Sequence, residues 1–318
     1  MRKDPEISVV IPVYNEQESI GELAALLKKS LATLPFSWEV IVCDDGSQDA
    51  TFDRYLQETH GDDRFKCISF RKNFGKSMAL SAGFHYSQGE IIITMDGDLQ
   101  DRPDEIPKLL EKLNEGYDLV SGWKQKRHDP YSKRLPSKIF NLTVSLLTGV
   151  KIHDFNCGLK IYRRSVVESL NLYGDLYRFI PALAAWQGFR VGEIPVQHSP
   201  RKYGKSKYGA SRLVRAVFDL CTILFLIKYA TRPLHFFGLV GFITFLFGFV
   251  IGIYLTVQKF QGHPIGHRPL LVLAVLLMVL GVQFFSTGLI AEMLTNITRE
   301  KNTRFQIRKK IGNFGNVR

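Results

Sequence analysis

Two carboxylates that flank a glycine, Asp96 and Asp98, are the residues of this sequence with the clearest capacity for chemistry. They come directly after an isoleucine-rich run, so both side chains are expected at the end of one strand, where they can converge on a single divalent cation. Magnesium and manganese prefer such oxygen ligands and usually share them with the phosphates of a substrate. An isolated Asp-x-Asp is common in acidic turns, so the prediction of a metal site depends on the residues at the ends of the other strands.

Polar residues follow four apolar runs in succession. In an open α/β sheet, ligands bind beyond the carboxyl ends of the strands, so these segments predict one common site. No Gly-x-Gly-x-x-Gly follows the first run and no Gly-x-x-x-x-Gly-Lys-Ser occurs, which argues against a dinucleotide dehydrogenase and a P-loop phosphohydrolase. The segment Asp44–Ser47, which follows the second run, also suits a plain turn in which Ser47 caps a helix. The four segments are Pro12–Glu16, Asp44–Ser47, Arg71–Lys76 and Asp96–Asp101.

The elements that must position these segments alternate between strand-like and helix-like patterns over residues 7–122. Uninterrupted apolar strands with helices between them predict a mostly parallel sheet that is covered on both faces, and therefore an α/β fold. The predicted strands are Ile7–Val13, Trp38–Cys43, Phe65–Phe70, Glu90–Met95 and Asp118–Ser121. The predicted helices are Glu18–Leu31, Asp49–Thr59, Lys76–Tyr86 and Pro107–Asn114.

Two uncharged runs near the C-terminus predict transmembrane helices. Leu234–Val257 has 24 residues and Leu270–Ala291 has 22, and neither contains a charge. About 20 apolar residues span a bilayer core of about 30 Å. A buried helix of a globular domain is the alternative, but two such runs side by side exceed what a core of this size needs. The segment Gln258–Pro269 between them is expected to form the tight loop of a helical hairpin.

The distribution of charge predicts how this hairpin is oriented. Residues 1–200 hold 25 basic and 27 acidic side chains, whereas residues 201–318 hold 17 basic and 3 acidic ones. Residues 201–232 carry eight Lys or Arg, the tail after Thr295 carries seven and the loop carries two, so the positive-inside rule places both termini in the cytoplasm. The N-terminus runs directly into a strand, and we expect no signal peptide. The basic excess lies outside the α/β domain, which argues against a nucleic-acid binder.

Residues 211–227 mix cations with apolar side chains and are too short and too charged to span a membrane. They predict an amphipathic helix in the headgroup layer of an anionic bilayer, with a helix packed on the soluble domain as the alternative. The four cysteines form no close pair, so neither a zinc knuckle nor a disulfide framework is expected.

The motifs Pro-Val-Tyr-Asn-Glu, Asp-Asp-Gly-Ser, Asn-Phe-Gly-Lys and Asp-Gly-Asp-Leu-Gln-Asp, in this order, resemble glycosyltransferase family two with its GT-A nucleotide-sugar fold. Two later segments, residues 154–163 and 201–208, resemble the family's second acidic segment and its Arg-x-x-Gly-x-Ser-Lys-Tyr segment. With two C-terminal spans, the chain resembles the polyprenyl-phosphate glycosyltransferases, a group that includes dolichol-phosphate mannose synthase and the bactoprenol glucosyltransferases of the GtrB type. The resemblance divides the chain into a catalytic domain (1–200), a juxtamembrane helical segment (201–232), a transmembrane hairpin (233–295) and a basic tail (296–318).

The resemblance implies a nucleoside diphosphate sugar as donor and Mg²⁺ or Mn²⁺ as cofactor. UDP-glucose is the first choice of donor, with GDP-mannose and UDP-N-acetylglucosamine left open. The metal would stabilise the departing diphosphate. The implied metal ligands are Asp96, Asp98 and Gln100, and the implied donor-binding residues are Pro12, Tyr14, Glu16, Asp45, Lys76, Asp96 and Gly97.

The implied acceptor is a polyprenyl phosphate, whose second pKa of about 6 leaves it largely ionised near neutral pH. It is already a nucleophile, so cationic positioning matters more than a strong base, and one in-line displacement would invert the anomeric carbon. Asp98 and Asp154 are the catalytic candidates; Asp154 would act as a base or position the acceptor. The family often has Arg where this chain has Lys124, which keeps the charge but loses the bidentate fork. The candidates for the acceptor phosphate are Lys124, Arg127, Arg134, Arg201, Lys205 and Lys207.

Two spans cannot enclose a polyprenyl chain, so we expect a homo-oligomer, with a tetramer implied by the resemblance. Gly248 and Gly252 are four residues apart, a spacing that allows close helix contact. Two other functions remain as alternatives. A processive polysaccharide synthase would normally show Gln-x-x-Arg-Trp and more spans, but none of the three tryptophans follows an arginine. A non-catalytic membrane scaffold would not need carboxylates at successive strand ends.

Overall fold

The computed structural model describes residues 5–125, 141–146, 148–200, 202–203, 225, 229, 232–264 and 269–301. The chain divides into two compact units, Met1–Ile223 and Leu224–Arg318, and each is described by itself. The first contains a seven-stranded sheet with helices, and the second contains a helical hairpin.

The sheet has the order β3-β2-β1-β4-β6-β5-β7. Only β6 is antiparallel to its neighbours in this sheet. The sheet is therefore mixed but mostly parallel, which confirms the predicted α/β architecture. The first four strands agree with the sequence prediction to within a residue or two, whereas the prediction contained no strand after Ser121. The strands are β1 (Ile7–Val13), β2 (Trp38–Asp44), β3 (Phe65–Ser69), β4 (Ile91–Thr94), β5 (Leu119–Lys124), β6 (Lys160–Arg163) and β7 (Val191–Val196).

Helices connect the strands, and apolar side chains of two of them, including Leu23 and Leu109, lie in one buried core cluster with Val9 of β1. The second helix begins two residues later than predicted because the Asp49 side chain accepts a hydrogen bond from the backbone N–H of Thr51 at 3.0 Å. Residues 141–146 are also helical. The named helices of the first unit are α1 (Ile20–Leu31), α2 (Thr51–Glu58), α3 (Lys76–Tyr86), α4 (Ile106–Asn114), α5 (Arg164–Ser169) and α6 (Ile180–Trp186), with short 3-10 helices at Pro103–Glu105 and Leu176–Phe179.

A polar network lies at the amino edge of the sheet, where the first four strands begin. Glu39 is only 2% exposed, and its Oε1 accepts hydrogen bonds from Ser8 Oγ at 2.6 Å and from the backbone N–H of Gln88 at 2.7 Å. Its Oε2 pairs with Lys66 Nζ at 2.6 Å. Ser8 Oγ in turn accepts the N–H of Gly89. We call these residues the amino-edge network; they join β1, β2, β3 and the turn before β4.

The second unit is formed by two long apolar helices, α7 (Pro233–Phe260) and α8 (Pro269–Lys301). Both are long and apolar enough to cross a membrane, by length and composition. The predicted spans lie inside them. At one end of the pair, Glu292 Oε2 accepts a hydrogen bond from the backbone N–H of Leu234 at 3.2 Å, which caps the start of α7.

Glycines allow the two helices to approach closely. A Cβ atom on Gly241 would lie 2.6 Å from the carbonyl oxygen of Gly281, and one on Gly248 would lie 2.7 Å from that of Ala274. By contrast, nothing lies within 4 Å of a Cβ built on Gly252. Gly248 therefore contacts α8 of the same chain and Gly252 does not, while the prediction that this spacing serves contact between copies of the chain stays a prediction. Gly248 serves the hairpin of its own chain, because glycines seven residues apart face the same neighbouring helix.

Candidate active site

Tight turns follow two of the strands at the carboxyl edge of the sheet. Among the described residues, the two non-glycine residues with positive φ are Asn15, at 53°, and Leu99, at 61°, and they follow β1 and β4. Residues other than glycine seldom adopt this left-handed backbone conformation, and those that do concentrate at functional sites. The Asn15 turn is held by the Ser47 hydroxyl, which accepts its N–H, and by the N–H of Gln48, which donates to its side chain.

Asp96, the first predicted metal ligand, is paired with a lysine. Its Oδ1 lies 2.5 Å from Nζ of Lys76, the first residue of α3, and both side chains are 29% exposed. Burial acts to raise the pKa of Asp96, but the charges of Lys76, Lys124 and Lys160 outweigh it and lower that pKa to about 2. Asp96 is therefore ionised at neutral pH, as a metal ligand must be.

A second carboxylate, Asp101, supports the turn that carries Asp96. Asp101 is 3% exposed, and its Oδ2 accepts a hydrogen bond from the backbone N–H of Asp96 at 3.0 Å. Its Oδ1 pairs with Lys124 Nζ at 3.1 Å. Burial acts to lower the pKa of Lys124, but Asp101 and the neighbouring acids raise it, so Lys124 keeps its charge. Sequence reasoning did not assign Asp101 a role, although its place in the acidic motif marked it.

Gly158 leaves the space that these carboxylates occupy. A Cβ on this residue would lie 2.5 Å from Asp96 Cγ and 2.6 Å from Asp101 Oδ2, so no other residue fits without moving them. Lys160, two residues later, is 4% exposed, and its ammonium donates to the carbonyl oxygen of Cys157. Burial lowers the pKa of Lys160. Both residues lie in a segment that the sequence analysis singled out without assigning them functions.

Asp98 is 8% exposed, and its Oδ1 accepts the backbone N–H of Gln100 at 3.2 Å. Gln100 is half-buried, and its carbonyl oxygen accepts the N–H of Ser199. Within the described residues no group of three or more acids, histidines or cysteines is arranged to hold a metal by itself. Asp96 and Asp98 nevertheless provide the oxygen ligands that Mg²⁺ and Mn²⁺ use when substrate phosphates complete the coordination. The residues present fit a metal that binds together with its phosphate ligand.

The residues predicted to bind the donor have several different contacts. Pro12 lines a pocket together with Lys76, Asp96 and Tyr177. Tyr14 and Glu16 are half-buried in the turn after β1, where the N–H of Glu16 donates to Thr51 Oγ1 at 2.8 Å.

Asp45, which is predicted to line a base and ribose pocket, also makes hydrogen bonds within the fold. It is 4% exposed, and its two oxygens accept the N–H groups of Phe74 at 2.7 Å and Gly75 at 2.9 Å. Burial raises its pKa, against the effect of these two bonds. Asp45 therefore holds the turn that leads into Lys76. Gly97 serves packing, since a Cβ there would lie 2.7 Å from Val13 Cγ1.

Asp154 lies beyond β5, in a loop, and is 1% exposed. Its Oδ1 accepts the N–H of Asn156 at 3.2 Å, and its carbonyl oxygen accepts the hydroxyl of Ser121 at 3.4 Å. Its charge contributes to raising the pKa of Lys124. Asp154 thus shares one electrostatic environment with Lys124 and Asp96.

Of the six cations predicted to bind an acceptor phosphate, the structure places Lys124. The other five, and most of the predicted interfacial helix at 211–227, lie outside the described residues. These are Arg127, Arg134, Arg201, Lys205 and Lys207.

Comparison with known protein families gives two matches. Residues 8–170 match the family described as Glycosyl transferase family 2, and residues 232–297 match the family described as GtrB C-terminal hairpin. Dodecaprenyl-phosphate galacturonate synthase of Rhizobium johnstonii is 39% identical over 295 residues, which are 91% of this chain and 87% of that protein. Undecaprenyl-phosphate 4-deoxy-4-formamido-L-arabinose transferase of Salmonella choleraesuis is 35% identical, over 94% of this chain and 91% of that protein.

Solved structures share the fold of the first unit. Glucosyl-3-phosphoglycerate synthase from Mycobacterium tuberculosis superposes with a TM-score of 0.53 at 20% identity, over 70% of this chain and 80% of that one, in a crystal with Mn²⁺, UDP-glucose and glycerol 3-phosphate. At this level of identity the likeness concerns the fold alone, and it confirms the predicted GT-A architecture.

Proposed function

Because the chain belongs to glycosyltransferase family 2, and within it to the polyprenyl-phosphate glycosyltransferases, we propose a specific reaction for it. The enzyme transfers a sugar from a nucleoside diphosphate sugar to a polyprenyl phosphate, with a divalent metal and with inversion at the anomeric carbon. The observation that carries this proposal is the cluster of Asp96, Asp98 and Asp101 with Lys76 and Lys124 at the carboxyl edge of the sheet. We call these five residues the carboxylate–lysine cluster.

The donor side of the reaction depends on charge. Asp96 and Asp98 would hold the metal, with Gln100 orienting a water or a phosphate, and the bound metal supplies Lewis-acid stabilisation of the departing diphosphate. Lys76 brings a positive charge beside Asp96 on the rigid first turn of α3, where the developing charge of the leaving group needs it. Asp45 keeps this turn in place through Phe74 and Gly75.

The acceptor side depends on positioning. A phosphate monoester is largely ionised near neutral pH, so it attacks without a strong base. Lys124, buried and charged, is the described cation best suited to orient it, together with the five cations outside the described residues. Asp154 is the nearby carboxylate that orients the acceptor or takes up a proton.

The sugar itself is the least constrained part of this proposal. UDP-glucose is the first donor to test, as the two-span architecture resembles the glucosyltransferases. The names of the two relatives specify galacturonate and 4-deoxy-4-formamido-L-arabinose instead. UDP-galacturonate is therefore the second donor to test, followed by UDP-N-acetylglucosamine and GDP-mannose.

The membrane arrangement follows the family. We propose that the hairpin of α7 and α8 anchors the enzyme, with the catalytic domain and both termini in the cytoplasm. The basic segment 201–232 would hold the catalytic domain at an anionic leaflet, and the chain would form a homo-oligomer, of which a tetramer is the form to test. A processive synthase is the less favoured alternative, since residues 232–297 match a two-helix hairpin.

The test uses the full-length protein in detergent with undecaprenyl phosphate and each labelled donor, with and without Mg²⁺ or Mn²⁺. Sugar that moves into the organic phase only when metal and lipid phosphate are both present supports the proposal. Transfer to water-soluble acceptors alone overturns the lipid acceptor. Failure to bind any nucleotide sugar in the presence of metal overturns the enzymatic function in favour of a membrane scaffold. Asp104→Asn, which removes an exposed acid three residues after Asp101 in the chain, is the matched control.

A further inference from the structure

His153 is attached to the last strand of the sheet by two hydrogen bonds to one carboxylate. Its backbone N–H donates to Glu193 Oε2 at 2.7 Å, and its ring Nδ1 bonds to Glu193 Oε1. Glu193 lies on β7, and its side chain is only 16% exposed. The imidazole also stacks on the Trp123 ring, with centroids 4.2 Å apart and planes 14° apart. These three side chains bridge β5, β7 and the loop after residue 148.

The backbone on the other side of His153 is held as well. Asn141 Nδ2 donates to the carbonyl oxygen of His153 at 2.9 Å. The next carbonyl, that of Asp154, accepts the Ser121 hydroxyl. Residues 149–159 form neither helix nor strand, so no ladder of backbone bonds fixes them. Instead, the backbone around Asp154 is held by three side chains from separate parts of the chain. These are Glu193 of β7, Asn141 of the helical segment 141–146 and Ser121 of β5.

A half-buried carboxylate is costly unless it is well paired, and Glu193 uses both of its oxygens on one loop residue. Nothing in the proposed reaction uses Glu193 or His153 directly. Both are nevertheless in a position to decide where Asp154 lies, because His153 precedes it in the chain. A displacement of a reacting or orienting group by about 1 Å costs around 100-fold in rate.

We propose that Glu193 is a positioning residue that acts through His153 to set the orientation of Asp154 toward the acceptor phosphate. The inference rests on the proposed role of Asp154 in the transfer reaction. Glu193 contacts neither substrate; it fixes the loop through the His153 backbone and ring, and the stacked Trp123 supports the imidazole.

The test is a double-mutant cycle with Glu193→Ala and Asp154→Asn in the full-length enzyme. Glu193→Ala is expected to lower kcat by ~10-fold or more, as loss of an orienting partner commonly does, while the Kd for UDP with Mn²⁺ changes less than about twofold. The double variant is expected to be no slower than Asp154→Asn alone, because residues that act as one unit are not additive. Glu193→Gln, which keeps one acceptor oxygen, is expected to recover part of the lost rate.

A second readout reports on the loop itself. In a Trp38→Phe, Trp186→Phe background, the remaining Trp123 reports on its stacking with His153. Glu193→Ala is expected to change its emission and Glu193→Gln to change it less. Additive losses of rate, or full activity of Glu193→Ala, overturn the positioning role. Full activity of Asp154→Asn overturns the proposed role of Asp154, and this inference with it. An unchanged Asp104→Asn variant confirms that the effects are not those of any nearby acid.

Discussion

The two edges of the sheet use the same kinds of side chain in opposite ways. At the amino edge one buried carboxylate, Glu39, has each oxygen paired with donors from neighbouring strands. At the carboxyl edge, Asp96 and Asp101 of one turn pair with Lys76 and Lys124, and Gly158 leaves these two aspartates space that a Cβ would fill. The turn contains Leu99 in a left-handed conformation. A network that only stabilises needs neither excess charge nor strained backbone, so the difference supports the proposed active site at the carboxyl edge.

The largest effect that separates the edges is expected from Asp96→Asn and Asp98→Asn. Each removes a proposed metal ligand and should reduce transfer by about 1000-fold, because a Lewis acid supplies several kcal/mol of transition-state stabilisation. Both variants should keep the circular dichroism spectrum of the wild type. Near-normal activity of either purified variant at saturating Mg²⁺ or Mn²⁺ would count against the assignment.

Gly158→Ala is expected to have the next largest effect. The new Cβ would force Asp96 or Asp101 out of place, at a cost of about 1–3 kcal/mol in stability and ~100-fold in activity. Gly21→Ala is the control, since its Cβ would meet only the flexible Glu58 side chain at 3.3 Å. Thermal unfolding and initial rates measured on both variants distinguish them. Equal behaviour of the two would mean that the carboxyl edge is less crowded than the structure indicates.

Lys124→Met tests whether the charge at this edge serves the acceptor. We expect the KM for the lipid phosphate to rise by ~10-fold or more, and donor affinity to change much less, since Lys124 pairs with Asp101 rather than Asp96. Lys124→Arg should restore most of the acceptor affinity. A loss confined to donor binding would reassign Lys124 to the nucleotide side.

Glu39→Ala tests the other edge and should affect stability alone. Removal of this carboxylate leaves Ser8 and the N–H of Gln88 without their acceptor and is expected to cost about 1–3 kcal/mol. The ion pair between Lys66 and Glu39 contributes little to the free energy of unfolding, because the Lys66 side chain is 43% exposed. Urea unfolding gives the cost, and kcat of the folded fraction should equal that of the wild type. A change in kcat would link the two edges.

The smallest expected effect is a difference in acid stability. The pKa of Asp96 is about 2 in the folded protein against an ordinary value of 3.8, so its ionised form contributes stability above pH ~4. This contribution is lost as pH falls from about 4 toward 2. The difference in unfolding free energy between wild type and Asp96→Asn should shrink across this window. A difference that is independent of pH would show that Lys76 and Asp96 are not paired in solution.

Sequence reasoning found the parts of this fold that local pattern determines. β1, β2 and β4 are rich in valine and isoleucine, which is typical of the buried strands of a parallel sheet. β6 leaves none, because Lys160–Arg163 begins and ends with a cation and becomes a strand only by pairing with β4 and β5.

The arrangement of the candidate site was also predictable only where residues lie close together in the sequence. Asp96 and Asp98 flank one glycine in the chain, so the sequence alone predicts that both lie in one turn. The pairing of Asp101 with Lys124 joins residues 23 positions apart and depends on how β5 lies in the sheet. Likewise, the side chain of Asp45 turned to a nearby backbone, and the rotation of α7 decided that Gly248 and not Gly252 faces α8. Such facts depend on tertiary contacts that no local pattern encodes.

The bond between Glu292 and the N–H of Leu234 has a mechanical consequence. A helical hairpin is joined covalently at its loop, while its open end can splay or twist. Here the open end is also held by a hydrogen bond, and the backbones of the two helices lie close together at Gly241 and Gly248. We therefore expect the two helices to tilt together rather than independently.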